Sequence, residues 1–249
     1  MLRKSLRDIL DRFAATTGWN LIHKTPRFLW GYPDSELTVT LDMVLSHFRQ
    51  QHANPFCLQI GAFDGVAGDP IYPLIEKHAL HGVLVEPLKD AFERLQANYA
   101  KFGGRFTLIN AAVGPVDGKR TFYRIRKEAT GPDWIPQLAS FDKDVVMKHR
   151  RSVPNIESLL VVEDVPCMTF STLLATTQAG QIDVLQIDSE GYDAEILRQF
   201  DLRRREPAIV HFEHKHLSQK DHEECIRELI ELGYKLTLSR ENTLAYMIR

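Results

Sequence analysis

The sequence predicts an α/β fold built on a mostly parallel sheet with an antiparallel edge, and three observations predict it. Short apolar runs alternate with amphipathic helical patterns at the spacing of right-handed βαβ units. Two strand-like segments close the chain across a tight turn. The composition, 44% hydrophobic and 26% charged with 14 Gly and 12 Pro, is that of an ordinary globular chain and excludes collagen-like or disordered classes. The 249 residues exceed the usual domain of about 100 to 150 but suit one large α/β domain. The division expected is an N-terminal helical appendage over residues 1–52 and a main domain over 53–249.

Leu2, Leu6, Ile9, Leu10 and Phe13 recur at helical spacing, and a second helix runs through Leu41, Val44, Leu45 and Phe48. Phe56 to Ile60 is a buried-strand pattern ended by a Gly61–Gly65 loop, and a helix follows near Ile71 to His78. Gly82 to Val85 forms the next strand, closed by Glu86 and Pro87. A helix with the stripe Leu88, Phe92, Leu95 and Tyr99 leads to a third strand, Phe106 to Asn110. In the C-terminal half, strand Ile182 to Ile187, helix Ala194 to Phe200 and strand Ala208 to Phe212 repeat the theme. Ser218 with Asp221 caps a helix from Gln219 to Leu232, which Gly233 ends. Tyr234 to Ser239 and Thr243 to Ile248 pair as the closing hairpin. Residues 115–168 break the rhythm with Pro115, Pro132, Pro136 and Pro154, a strand-like Arg120 to Arg126 and Trp134 in a loop, so substrate selection is expected there. Trp134 is expected to pack its loop down, although such a ring also suits a sugar.

Lys and Arg total 31 against 33 Asp and Glu, a net charge of −2, so no global positive field draws nucleic acid. Cys57, Cys167 and Cys225 form no C-x-x-C pair and read as buried thiols. Arg3, Lys4 and Arg7 are followed by no apolar stretch that could act as signal peptide or membrane span, and a cytoplasmic location is expected. The basic N-terminal helix is expected to pack on the domain rather than on a membrane. A homo-oligomer is compatible with all of this.

In an open parallel sheet, ligands bind beyond the carboxyl ends of the strands. Gly61 and Gly65 bracket a loop able to pass close to a ligand and present N–H groups to it. Glu86 follows about twenty residues after Gly65, the spacing at which an acidic side chain reaches a ribose. Ala62, Phe63 and Asp64 interrupt the G-x-G-x-x-G pattern that a pyrophosphate needs, and Asp64 would repel one. A carboxylate there suits a cationic group instead. S-Adenosylmethionine combines adenosine with a sulfonium. Tyr123 and Lys127 match a Y-x-x-x-K spacing only by chance, since positions four apart do not meet on a strand as they do on a helix.

Four segments, Gln59-Ile-Gly-Ala-Phe-Asp-Gly65, Leu84-Val-Glu-Pro87, Ile109-Asn-Ala-Ala-Val-Gly114 and Ile182-Asp-Val-Leu-Gln-Ile-Asp-Ser-Glu-Gly191, together resemble the FkbM family of S-adenosylmethionine-dependent methyltransferases. The resemblance implies a Rossmann-like class I methyltransferase fold with a mostly parallel seven-stranded sheet, a C-terminal antiparallel hairpin and N-terminal helices. It implies O-methylation of a hydroxyl on a sugar or natural product. Carried over by position, Gly61, Ala62, Asp64 and Gly65 would hold the methionine moiety and line the ribose, and Glu86 would take the ribose hydroxyls. Asn110 and Ala111 would meet the adenine, Asp188 would lie near the charged end, and Asp69 resembles an acidic position after the loop. Phe63 stands where relatives often carry Asn, and Ser189 where D-V-E-G has Val.

A hydroxyl acceptor must lose a proton. Glu190, Glu213 and His214 are the catalytic candidates, with His211 and His216 near them at the ends of strands flanking the site. The strand Ala208 to Phe212 should deliver Glu213 and His214 best, although successive strand residues point to opposite faces. The His-rich stretch invites a metal reading, with Asp188 and Glu213 as oxygen ligands for Mg²⁺ beside His214 and His216. Against it, Lys215 adds positive charge and no third histidine shares that face, so a histidine rim that orients substrate is preferred. The competing functions are a nicotinamide-dependent oxidoreductase on a Rossmann fold and a non-catalytic module binding an adenosyl ligand.

Overall fold

A computed structural model describes residues 39–126, 134–177 and 179–247. The predicted helix from Leu2 to Phe13, and Lys127, lie outside them. The described residues belong to one compact unit, Glu36–Arg249. Helix α1 (Leu41–Phe48) starts where Thr40 accepts a hydrogen bond from the Met43 N–H, and it buries Leu41, Val44 and Leu45. These side chains join the same apolar cluster as Cys57 and Leu84 of the sheet, so α1 belongs to the main core.

Strands β1 (Phe56–Ile60), β2 (His81–Val85) and β3 (Phe106–Ile109) alternate with α2 (Ile75–His78) and α3 (Lys89–Tyr99). Further along come β8 (Val184–Ile187), α7 (Asp193–Phe200), α8 (Leu202–Arg205), β9 (Ile209–Glu213), α9 (Gln219–Glu231), β10 (Lys235–Leu238) and β11 (Asn242–Tyr246). The seven strands order as β10-β11-β9-β8-β1-β2-β3. The five from β9 to β3 are parallel, while β11 runs antiparallel between β9 and β10. Strand order reverses between β1 and β8, where a crevice opens in such sheets.

Alternation along the strands divides the core. Leu58, Ile60, Leu185, Ile187, Val210 and Phe212 pack with α7 and α9, while Cys57, Leu84, Val184 and Ile209 face α1 and α3. Gln59, Gln186 and His211 share one register row across three strands. The Gln59 amide donates to Asp69 at 2.7 Å, and His211 Nδ1 lies 2.6 Å from Gln186 Oε1. The three cysteines are buried and free. Among the described residues, no helix is long and apolar enough to cross a membrane.

The interrupting segment is more regular than its prolines suggested. β4 (Ala112–Val113), β5 (Gly118–Ile125), β6 (Ala139–Ser140) and β7 (Leu160–Met168) form a second sheet in the order β4-β7-β5-β6. Between β6 and β7 lie the short helices α4 (Lys143–Met147) and α5 (Ile156–Leu159), and α6 (Phe170–Thr177) follows β7. Phe122, Ala139, Val165 and Cys167 pack on Leu88 and Ala91 of the first sheet's layer. Arg124, nearly buried, anchors the seam through Asp90 at 2.7 Å and Glu163 at 3.2 Å.

Candidate active site

A cleft of about 870 Å³, counted to its open mouth, lies at the carboxyl ends of β1 and β8 and is walled on one side by the second sheet. Gly61, Ala62, Asp69, Glu86, Ala111, Asp188 and Glu190 line it, with Phe122, Gln137 and Phe141 from the insertion. Asp64, Gly65 and Asn110 do not line it; they hold its frame.

The β1 loop closes on itself. The N–H groups of Gly61 and Ala62 donate to Val85 O, that of Gly65 to Ala62 O, and that of Phe63 to Glu86 Oε2 at 2.8 Å. Asp64 Oδ1 accepts from the Val66 and Ala67 N–H groups at 2.9 and 2.8 Å. The loop's own turns thus take up the N–H groups of Gly61, Ala62, Phe63 and Gly65 and one oxygen of Asp64, whereas the expectation had them facing a ligand. The reason for its glycines changes too. Gly61 has φ +79°, and a Cβ there would stand 1.7 Å from Asp188 O, so its bareness lets β1 and β8 end side by side. Gly65 packs against Leu95 and Tyr99. Phe63 takes a left-handed φ of +48°, a conformation Asn tolerates better, and its ring lies 5.0 Å under the Arg94 guanidinium.

Glu86 is buried at the head of β2. Its Oε1 accepts from the Leu88 N–H at 2.7 Å and its Oε2 from Phe63, and burial pushes its pKa up to about 7. Asn110 Nδ2 donates to the carbonyls of Glu86 and Pro87 and so braces this carboxylate from behind. Asp69 accepts from Gln59 and from the Ile71 and Tyr72 N–H groups, and burial raises its pKa. Across the β1 loop, burial holds Asp188 well above the carboxylate range, with the charges of Glu190 and Asp193 adding to the effect. Ser189 gives the buried Asp193 a partner, its Oγ donating to Oδ2 at 2.8 Å, and burial raises Asp193 to about 6.

The catalytic candidates separate. Glu190 and Glu213 come together, but His214 points elsewhere. Its Nδ1 lies 2.8 Å from Thr243 Oγ1, its ring stacks on His222 at 4.2 Å, and burial lowers its pKa to about 4. His214 is thus buried and does not line the cleft. His211 likewise bonds Gln186 within the sheet. In their place stands His216, whose Nε2 is 3.1 Å from Glu190 Oε2 and 3.7 Å from Glu213 Oε2. Burial, with the charges of Asp188 and Glu190 adding to it, drives the Glu213 pKa strongly upward. Glu190 adopts a left-handed φ of +49°, and Ser140 Oγ donates to its carbonyl at 2.9 Å.

The residue that sequence reading missed is His149. The insertion carries its ring to 5.2 Å from that of His216, and Trp134 packs on it at 5.1 Å. Its Nε2 is buried without a hydrogen-bond partner. Nothing in the local sequence Lys148 to Arg151 signals this placement.

A family model described as the methyltransferase FkbM domain matches residues 59–236. Among solved structures the chain is similar to an FkbM methyltransferase from Methylobacillus flagellatus KT, at 13% identity and a TM-score of 0.51. That match covers 90% of this chain and 50% of the other, so the chain spans about half the length of this relative. SAH-bound PaMTH1 from Podospora anserina matches at 10% identity and a TM-score of 0.44, over 98% of this chain and 96% of that one. Precorrin-6y C5,15-methyltransferase from Geobacter metallireducens GS-15 matches at 13% identity and a TM-score of 0.41, over 87% and 100%. No curated protein matches the chain. The strand order, with the first of these likenesses, makes the fold the Rossmann-like one of class I methyltransferases. Because the matched span runs from β1 into β10 and takes in the cleft, the chain belongs to the methyltransferase FkbM domain family.

Proposed function

We propose that the protein is an S-adenosylmethionine-dependent O-methyltransferase acting on a hydroxyl of a saccharide, a glycosylated metabolite or another natural product. The observation that carries this reading is the charge pattern of the cleft. Glu86 lies on one side of the β1 loop, Asp188 and Glu190 lie on the other, and Ala62, Ala111 and Phe122 supply apolar wall.

The residues suit that donor. Each Glu86 oxygen accepts one backbone N–H, which leaves one lone-pair site on each for a pair of ribose hydroxyls. Asp188 and Glu190 set carboxyl oxygens beside the place a sulfonium would take, and the charge of a bound sulfonium would favour their ionised forms. When bound, S-adenosylmethionine supplies an electrophilic methyl group for in-line transfer to an acceptor oxygen. Glu190 lines the cleft and touches His216, which supports it as the residue that takes the acceptor's proton. Gln137 and Phe141 line the cleft from the insertion, which supports a role for that segment in selecting the acceptor.

The test is thermal unfolding with S-adenosylhomocysteine or NAD, followed by transfer of a labelled methyl group to a panel of hydroxyl compounds. Stabilisation by S-adenosylhomocysteine alone, with label appearing as a methyl ether, is expected. Stabilisation by NAD alone would overturn the donor. Tight donor binding without transfer to any acceptor would leave only a binding module.

A further inference from the structure

We propose that Glu190, Glu213 and His216 bind one divalent cation of the manganese or zinc class at the edge of the cleft. The loop after β8, the last residue of β9 and the loop beyond it each contribute one ligand atom, and these atoms lie within 4.8 Å of one another. An ion held at about 2.0 to 2.2 Å by oxygen and nitrogen ligands places adjacent ligand atoms about 3.0 to 3.6 Å apart. The 3.1 Å separation from His216 Nε2 to Glu190 falls within that spacing, and the 3.7 Å one to Glu213 lies just beyond it.

An independent observation points to a missing partner. Glu213 is only 8% exposed, yet its Oε2 has no hydrogen-bond partner, nor has Glu190 Oε2. A buried carboxylate oxygen without a donor is costly, and a cation at their convergence supplies what the protein does not. Lys215 offers little relief, since its ammonium pairs with Glu241 at 3.4 Å. Gly191 keeps the cluster tight: a Cβ there would press on Val145 and His216 at 3.1 and 3.3 Å.

The donor set selects the ion. Two carboxylates with one imidazole favour manganese or zinc over magnesium or calcium, which prefer all-oxygen surroundings. Three protein ligands leave coordination positions open, as in catalytic rather than structural sites. Glu190 puts that open side against the cleft. Cation binding stands by itself; its use in polarising an acceptor hydroxyl rests on the methyl-transfer reading. The sequence argued against a metal by seeking a third histidine beside His214 and His216, whereas the fold removes His214 and brings in Glu190.

The full chain, stripped with chelator, would be titrated with MnCl₂ and free Mn²⁺ followed by electron paramagnetic resonance. One bound Mn²⁺ per chain is expected, with nitrogen modulation of its spin echo from His216. Glu213→Gln and His216→Ala should each weaken binding about tenfold or more, at least the loss typical of an outer-shell partner. Glu157→Gln, on an exposed helix, should not. Absence of stoichiometric binding by both Mn²⁺ and Zn²⁺, or binding that both site variants retain in full, overturns the proposal. If a variant fails to fold, nitrogen modulation in the parent decides. S-Adenosylhomocysteine stabilisation, measured in parallel, reports the donor reading separately: its loss with Mn²⁺ binding intact refutes the donor and leaves the cation.

Discussion

Donor affinity should climb with pH through neutrality because of Glu86. Burial raises its carboxyl from 4.5 to about 7, against the opposing pull of the Leu88 and Phe63 N–H groups and the charge of Arg124. Ribose hydroxyls can donate to both oxygens only when the group is ionised, so binding draws on the ionised fraction. For a pKa of about 7 that fraction is about one in eleven at pH 6 and about ten in eleven at pH 8. The apparent Kd for S-adenosylhomocysteine should therefore fall about tenfold between those values, or ~1.4 kcal/mol. Calorimetry in two buffers of different ionisation enthalpy should show nearly one proton released per ligand at pH 6 and little at pH 8. The stability of the unliganded protein moves the other way. A carboxyl whose folded pKa lies above its unfolded one binds more protons when folded, so its contribution declines as pH rises from about 4.5 to about 7. Glu86→Gln should flatten the affinity profile, leaving only what Asp188 and Asp69 contribute. A flat profile in the parent, or a full slope in Glu86→Gln, would refute the ribose role.

Gly61→Ala must set a methyl group against the Asp188 carbonyl and keep a left-handed backbone, so soluble protein with an unchanged Tm would contradict the packing described. Thr243→Val strips a shared partner from His214 and His222, bonded at 2.8 and 3.1 Å, and urea unfolding should show a loss of about 1–3 kcal/mol. Burial depresses both histidines to about 4, so the stability they carry is present above about 6.5 and drains away as pH falls toward 4, which acid titration of the fold can check. Glu190→Gln should lower turnover at saturating donor, whereas His214→Gln should leave turnover of the folded fraction unchanged; equal losses would return His214 to the site.

Much of the fold was legible because its strands are apolar runs that end in Gly, Glu-Pro or Asp, and its long helices carry regular stripes. The strands from β1 to β11 in the main sheet fall within a few residues of the sequence reading. Of the second sheet only β5 was legible, as the strand-like Arg120 to Arg126. β7 mixes Glu163, Asp164 and Pro166 with valines, so no apolar run marks it in the sequence, and its pairing with β5 and β4 makes it a strand. The site divides the same way. Glu86, Ala111 and Asp188 sit where strand ends must put them. Residue type could not reveal that one oxygen of Asp64 is held by a turn or that His214 is bonded to a neighbouring strand. His149 was invisible, since its role depends on a fold between segments far apart in sequence.

That distant contribution makes the insertion part of the acid cluster and not merely a cover. Ser140 fixes the Glu190 carbonyl, Val145 packs at Gly191, and His149 stands beside His216. A non-glycine residue at φ +49° carries strain of about 1–3 kcal/mol and persists only where its surroundings hold it. Here the holding groups come from residues 140–149, so any change that shifts β6 or α4 to admit a different acceptor also moves the Glu190 carboxylate. On the methyl-transfer reading proposed above, acceptor choice and placement of the acid cluster would be coupled through one backbone. An altered acceptor range should come with altered kcat rather than KM alone, because the contacts that shape the cleft also aim the group beneath it.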